Sequence, residues 1–151
     1  MLEAKEAHEK AAGMEKIAYA SACNNLANLY LDMGRQKEAG ELYIKARDVL
    51  ARQLGTEHHN YALANNMLAN FLKGKEEYQK AEELFIEARN IQEKVFGKEH
   101  VEYAFTCINL ANLYIKKRQY ANAESLLLES KKIYEKKFGK THSYYGSSCN
   151  D

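Results

Sequence analysis

The chain repeats itself every 42 residues, and this period constrains its fold more than any other feature. Tyr19, Tyr61, Tyr103 and Tyr145 stand one period apart, as do Gly13, Gly55, Gly97 and Gly139. Leu26, Leu68 and Leu110 keep the same step, and so do Ala39, Ala81 and Ala123. A period of ~20–50 residues marks a solenoid, in which each unit buries its apolar face only against its neighbours. Such a chain builds a surface rather than a single reaction pocket.

Within one unit, Tyr19 to Asn60, the apolar residues fall at helical spacing. Ala22, Leu26, Leu29, Tyr30 and Met33 make a first stripe. Gly34 interrupts it and supplies a tight turn. Ala39, Leu42, Tyr43, Ala46, Val49, Leu50 and Leu54 make a second stripe, and the charged residues between them face water. Gly55 ends the second helix in the manner of a left-handed cap. The period therefore predicts helices over 17–33, 36–54, 60–73, 78–96, 101–116 and 120–138. Alanines recur at Ala27, Ala69 and Ala111 and at Ala39, Ala81 and Ala123, where two helices of a hairpin must cross closely.

These positions carry a resemblance. Asn24-Asn25-Leu26-Ala27-Asn28-Leu29-Tyr30, Gly34, Glu38-Ala39, Tyr43, Ala46 and Leu54-Gly55 resemble a tetratricopeptide repeat (TPR). The 42-residue length and the junctions Phe96-Gly97-Lys98-Glu99-His100 and Phe138-Gly139-Lys140-Thr141-His142 are similar to those of kinesin light chains and related bacterial multi-repeat proteins. The resemblance implies an all-α fold, a right-handed superhelical solenoid of stacked antiparallel helix hairpins. It departs from the family where His59, Val101 and Ser143 replace the usual proline, and where Glu76 and Arg118 replace the turn glycine. Those changes are expected to loosen or re-angle the connections without altering the fold. The whole chain, 1–151, reads as one domain: a partial repeat over 1–18, full repeats over 19–60, 61–102 and 103–144, and the start of a truncated repeat over 145–151.

Composition narrows the function. A net charge of +1 argues against a partner held through phosphate contacts, and so against nucleic acid. No run approaches the ~18 apolar residues of a membrane span, and Met1-Leu2-Glu3-Ala4-Lys5-Glu6 has no apolar core of a signal peptide. Three cysteines, an odd number, suit a reducing compartment, so a cytoplasmic location is expected. The chain shows no nucleophile with a paired base, no phosphate loop and no metal-spaced Cys/His cluster. It is expected to be no enzyme and to need no cofactor or metal.

Two repeated residue types read as structural. His58, His100 and His142 occupy equivalent junctions at least a helix spacing apart, too far to converge on one metal, and are expected to bond backbone at helix boundaries. Cys23, Cys107 and Cys149 share one repeat position and read as half-buried helix residues.

Asparagine is different. Asn28, Asn70 and Asn112 share one position of the first helix in three successive repeats, with Asn24 and Asn66 one turn earlier. The resemblance implies that this position points into a concave groove, giving a ladder of carboxamides. An Asn side chain offers two donors and an acceptor, matching a peptide bond. Leu31, Lys73 and Lys116 are expected on the same surface, with Ala20, Asp32, Ala62 and Ala104. Two readings of the ladder stand: contact with an extended peptide, or a tolerated exposed residue copied by duplication. The function read from the sequence is protein–protein interaction through a peptide segment in that groove. The rivals are a structural scaffold and a regulatory repeat segment of a larger protein. Both ends fall inside a repeat, so the chain reads as a piece of a longer one. The cut surfaces, Leu2 at one end and Phe138, Tyr144 and Tyr145 at the other, predict head-to-tail self-association.

Overall fold

A computed structural model describes the backbone of residues 2–139 and the side chains of residues 13–139. Among the described residues the secondary structure is entirely helical. The six helices are α1 (Leu2–Asp32), α2 (Gln36–Leu54), α3 (His59–Gly74), α4 (Tyr78–Phe96), α5 (Val101–Lys116) and α6 (Tyr120–Phe138). The chain divides into two compact units, Met1–Leu68 and Ala69–Asp151. In the first, α1 and α2 form a hairpin; in the second, α5 and α6 form one, and α4 packs on α5. The fold is all-α and of the TPR type.

The expected crossing alanines are buried: Ala27, Ala39, Ala69, Ala81 and Ala111 are wholly covered and Ala123 nearly so. In the second unit Ala69, Ala81, Phe85, Leu110, Ala111 and Leu113 belong to one core cluster. Cys23 and Cys107 are buried rather than half-buried. Burial raises the Cys107 thiol to about 11, helped by the nearby Glu129 charge. Cys149 lies outside the described residues.

Each hairpin turns in the same way. The Arg35 N–H reaches back to the Tyr30 carbonyl at 2.7 Å and the Gly34 N–H to the Leu31 carbonyl at 2.9 Å. The pair of bonds is a Schellman turn, which satisfies carbonyls left open at a helix end. Glu77 and Glu76 repeat it onto Leu72 and Lys73, and Gln119 and Arg118 onto Tyr114 and Ile115. The middle residue is left-handed each time, with φ 76° at Gly34, 63° at Glu76 and 59° at Arg118. Replacing the glycine therefore leaves the connection intact, against the expectation of a loosened turn. Arg35, Glu77 and Gln119 then offer their carbonyls to the N–H groups of Ala39, Ala81 and Ala123, which starts the next helix.

The junctions between repeats use another backbone state. Gly55, Gly97 and Gly139 have φ of 83°, 83° and 77° with ψ of 164°, 163° and 168°. The sequence predicts left-handed helical caps here; the glycines lie instead in a region essentially confined to that residue. The histidines that follow act as expected. His58 Nδ1 accepts from the Asn60 N–H at 3.1 Å, and His100 Nδ1 from the Glu102 N–H at 3.2 Å, capping α5. The His100 ring stacks on Phe96, with centroids 4.4 Å apart. His142 lies outside the described residues.

α1 departs from the expected boundary. It runs unbroken from Leu2 to Asp32, through Gly13, where the period predicts a junction. Lys16 occupies the place of His58 and His100, so the residue that caps a new first helix is missing. A glycine alone costs a helix only ~1 kcal/mol relative to alanine, too little to end it.

Candidate functional site

The asparagine column splits by depth. Asn28 on α1 and Asn112 on α5 are exposed, and Asn70 on α3 is partly buried. Asn24 and Asn66, expected beside them, are only 8% and 3% exposed. Ala20, Ala62 and Ala104, one turn earlier still, are wholly buried. The cause is helix geometry. Four residues advance a helix by about 400°, so each step back along the column turns the side chain about 40° toward the interior. Asn24 and Asn66 thus do not share the exposed face of Asn28 and Asn112, and the three alanines present no surface.

In the first unit Asn24 lines a cleft of about 220 Å³ between α1 and the start of α3, with Ser21, Asn25, Asn60, Leu63 and Met67. The Asn24 Oδ1 is buried without a hydrogen-bond partner among the described residues. Leu31 is partly buried and Asp32 exposed.

The three carboxamides of the outer column have different neighbours, and the helix that folds back on each explains why. In the first repeat the Tyr43 hydroxyl of α2 donates to Asn28 Oδ1. The equivalent residue in the second repeat is Phe85, which has no hydroxyl; there Lys73 donates to Asn70 Oδ1 at 2.8 Å, its ammonium 5.8 Å from the Phe85 ring centroid. In the third repeat Leu127 and Ile115 stand at the places of Tyr43 and Lys73, and neither can donate to the Asn112 carboxamide. In Asn28 and Asn70 the oxygen is held, which leaves the NH₂ group as the side of each carboxamide that can still bond a partner. In the second unit Lys73 is partly buried and Lys116 exposed. Burial first, and the charge of Lys116 second, hold the Lys73 ammonium below its ordinary lysine value. In the second unit Asn70 thus carries its carboxamide beside the Lys73 ammonium, with the Lys116 charge nearby.

Sequence reasoning missed a buried polar pair. The Thr106 hydroxyl donates to Gln92 Oε1 at 2.5 Å, and both residues are wholly buried between α4 and α5. The signal is present in the alignment of repeats: Gln92 stands in a column with Leu50 and Tyr134, and Thr106 in one with Ala22 and Ala64. Ser130, equally buried, donates to the Ala104 carbonyl at 3.1 Å. Among the described residues no three His, Cys, Asp or Glu side chains gather to hold a metal ion, and no helix is long and apolar enough to cross a membrane. Of the residues expected at the cut ends, Phe138 is 41% exposed; the Leu2 side chain and Tyr144 and Tyr145 lie outside the described residues.

The geometry finds its counterpart in known proteins. Residues 61–136 match the tetratricopeptide repeat family, and residues 20–60 match a second tetratricopeptide repeat description. No match is found among curated proteins. Two solved structures of nearly identical TPR-like repeats of a protein described as a kinesin light chain, from Podosopora anserina, one of them a point variant, superpose with a TM-score of 0.79 at 26% identity. They cover 87% of this chain, which spans 62% and 63% of theirs. BtubC (BKLC) from P. vanneervenii shares the fold, with a TM-score of 0.73 at 22% identity over 85% of this chain and 52% of its own. The family matches and the structural likeness agree, and the chain belongs to the tetratricopeptide repeat family, with repeats of the kinesin light chain kind.

Proposed function

We propose that this chain captures an extended peptide segment of a partner protein through the carboxamides of its first helices. Tetratricopeptide repeats generally mediate protein–protein interaction, and the finer reading rests on one observation. The carboxamide oxygens of Asn28 and Asn70 are engaged by the chain's own side chains, so what each carboxamide has left to offer a partner is its NH₂ donor. Donors at one position per repeat suit the backbone carbonyls of a peptide, whatever its side chains. In the second unit, Asn70 and Asn112 would hold the backbone, while Lys73 and Lys116 favour an acidic side chain. In the first unit the corresponding positions are Asn28, Leu31 and Asp32, so the carboxamide stands there without either lysine. No catalysis is assigned to the chain in this reading.

The same engaged oxygens favour a second reading, in which the carboxamides only brace each hairpin and the repeats serve as a scaffold. Selection of displayed random peptides on the full chain, followed by fluorescence anisotropy with the selected sequences, separates the two. Asn70→Ala and Asn112→Ala should each weaken binding by roughly two- to tenfold, as the loss of one hydrogen bond would, with the helical content unchanged. Lys116→Glu should weaken acidic peptides most. No selected peptide, or affinities indifferent to both asparagines, would leave the scaffold.

A further inference from the structure

The cleft of the first unit holds a polar atom that the chain itself leaves unanswered. Asn24 is only 8% exposed, lines the cleft, and keeps its Oδ1 without a hydrogen-bond partner among the described residues. A buried acceptor without a donor is costly, so such a site rewards whatever brings the missing N–H or O–H. None of the lining residues is charged: Leu50, Leu63, Ala64 and Met67 give apolar walls, and Ser21 and Asn60 add polar atoms. The Ser21 hydroxyl donates to the Ile17 carbonyl at 3.2 Å, and its oxygen can still accept. A charged ligand would enter without a counter-charge, at high cost. The volume of about 220 Å³ lies below the ~300–1,000 Å³ of small-molecule pockets and suits a single side chain.

The next repeat indicates which side chain. Leu50 on α2 and Ala64 on α3 form part of the cleft wall. One repeat later the same two positions are Gln92 and Thr106. Both are wholly buried, and the Thr106 hydroxyl donates to Gln92 Oε1 at 2.5 Å. With its oxygen held, the Gln92 carboxamide keeps an NH₂ group for further bonding. The second unit thus buries a carboxamide of its own where the first has two apolar side chains and a cleft. Leucine and alanine bring no donor, and Asn24 stays unbonded.

We infer that the cleft receives the side chain of a glutamine from the partner peptide, whose NH₂ group donates to Asn24 Oδ1 while its two methylenes lie along Leu63 and Met67. This subsite presupposes the peptide capture proposed above and adds to it a preference for one side chain. Asn24 precedes Asn28 by four residues, about 6 Å along α1, so a peptide whose backbone meets the Asn28 carboxamide passes close to the cleft. Glutamate is rejected for its charge. Methionine, of similar length, lacks the donor.

N-acetylglutamine methylamide, titrated into the full chain and followed by two-dimensional amide NMR, tests the subsite apart from the rest of the groove. Saturable shifts should centre on Asn24, Leu50 and Ala64, with a dissociation constant of about 1 mM. The glutamate and methionine counterparts of the probe should bind at least about tenfold more weakly. Asn24→Ala should weaken the glutamine probe about tenfold with helical content unchanged. Leu50→Gln combined with Ala64→Thr, which builds the second unit's buried pair into the first, should fold and should abolish binding. Equal binding of the three probes would overturn the subsite, as would a double variant that binds like the wild type. Selected peptides that depend on Asn70 and Asn112, with a glutamine probe that leaves Asn24 unmoved, would sink the subsite alone. A probe that binds at Asn24 in a chain that selects no peptide would keep the carboxamide site and remove the peptide.

Discussion

The hairpin turn and the repeat junction are both short, both sharp and both built at a positive φ, yet they place opposite demands on sequence. The hairpin turn holds its middle residue in the left-handed helical region and accepts Gly34, Glu76 and Arg118 alike. The junction holds Gly55, Gly97 and Gly139 at ψ of 164°, 163° and 168° and takes glycine each time. An L side chain in the left-handed region costs about 1–2 kcal/mol, which two Schellman hydrogen bonds per turn can offset. The junction conformation is one that a Cβ essentially forbids. Repetition in this chain is thus strict where the backbone leaves no alternative and loose where it leaves a costly one.

The sharpest way to break this comparison is Gly97→Ala. No atom lies within 4 Å of the Cβ it would add, so the whole effect is backbone strain. We expect a loss of about 1–3 kcal/mol, read from the urea midpoint. Gly97→Asn should lose nearly as much, because asparagine tolerates the left-handed helical region and not this one. In the hairpin turn the sign reverses. Glu76→Gly and Arg118→Gly should each raise stability by about 0.5–1 kcal/mol, the strain relieved less the extra chain entropy that glycine loses. Gly34→Asn should cost only a few tenths of a kcal/mol, since asparagine visits that region readily. If Gly34→Asn and Gly97→Asn prove equally harmful, the two turns do not differ in the way described.

The smallest expected effect is on pH. His58 caps the junction through an unprotonated Nδ1, and burial first, then the neighbouring His59, hold its pKa below the ordinary 6.5. A depressed folded-state pKa means that the contribution to stability is complete above 6.5 and is lost as pH falls through the lower folded value. The three hairpin turns contain no histidine. Acidification from neutral pH should therefore lower the urea midpoint of the wild type by more than that of His58→Asn, whose side chain keeps an acceptor at every pH. Equal slopes in the two proteins would remove the junction histidine from the account.

Most of the fold was legible because the period sets it. The expected spans 36–54, 78–96, 101–116 and 120–138 coincide with α2, α4, α5 and α6, and α3 differs by one residue at each end. The failures share a cause: a repeat position specifies a residue's role only when its neighbours are also present. Alignment makes Gly13 a junction, but without a histidine at Lys16 the helix continues through it. Alignment makes Leu26 and Leu29 packed residues, but they lie open on α1. The site was less legible. The asparagine column is visible in the sequence; its division into an exposed rung and a buried one follows from a rotation of about 40° per step. What each rung bonds to depends on whether Tyr43, Phe85 or Leu127 folds back on it, and that pairing is a tertiary fact.

Cys107 offers a use for its own concealment. Its thiol is wholly buried and its pKa is pushed up to about 11, so at neutral pH almost none of it is thiolate and none of it is within reach of a reagent. Any alkylation of Cys107 must then wait for α4, α5 and α6 to part. In a chain carrying Cys23→Ser and Cys149→Ser, the rate of labelling becomes a clock for the opening of the second unit. Cys23 in the converse chain keeps time for the first. Run side by side, the two clocks would tell whether the units open together or one at a time, with no label added beyond what the sequence already holds.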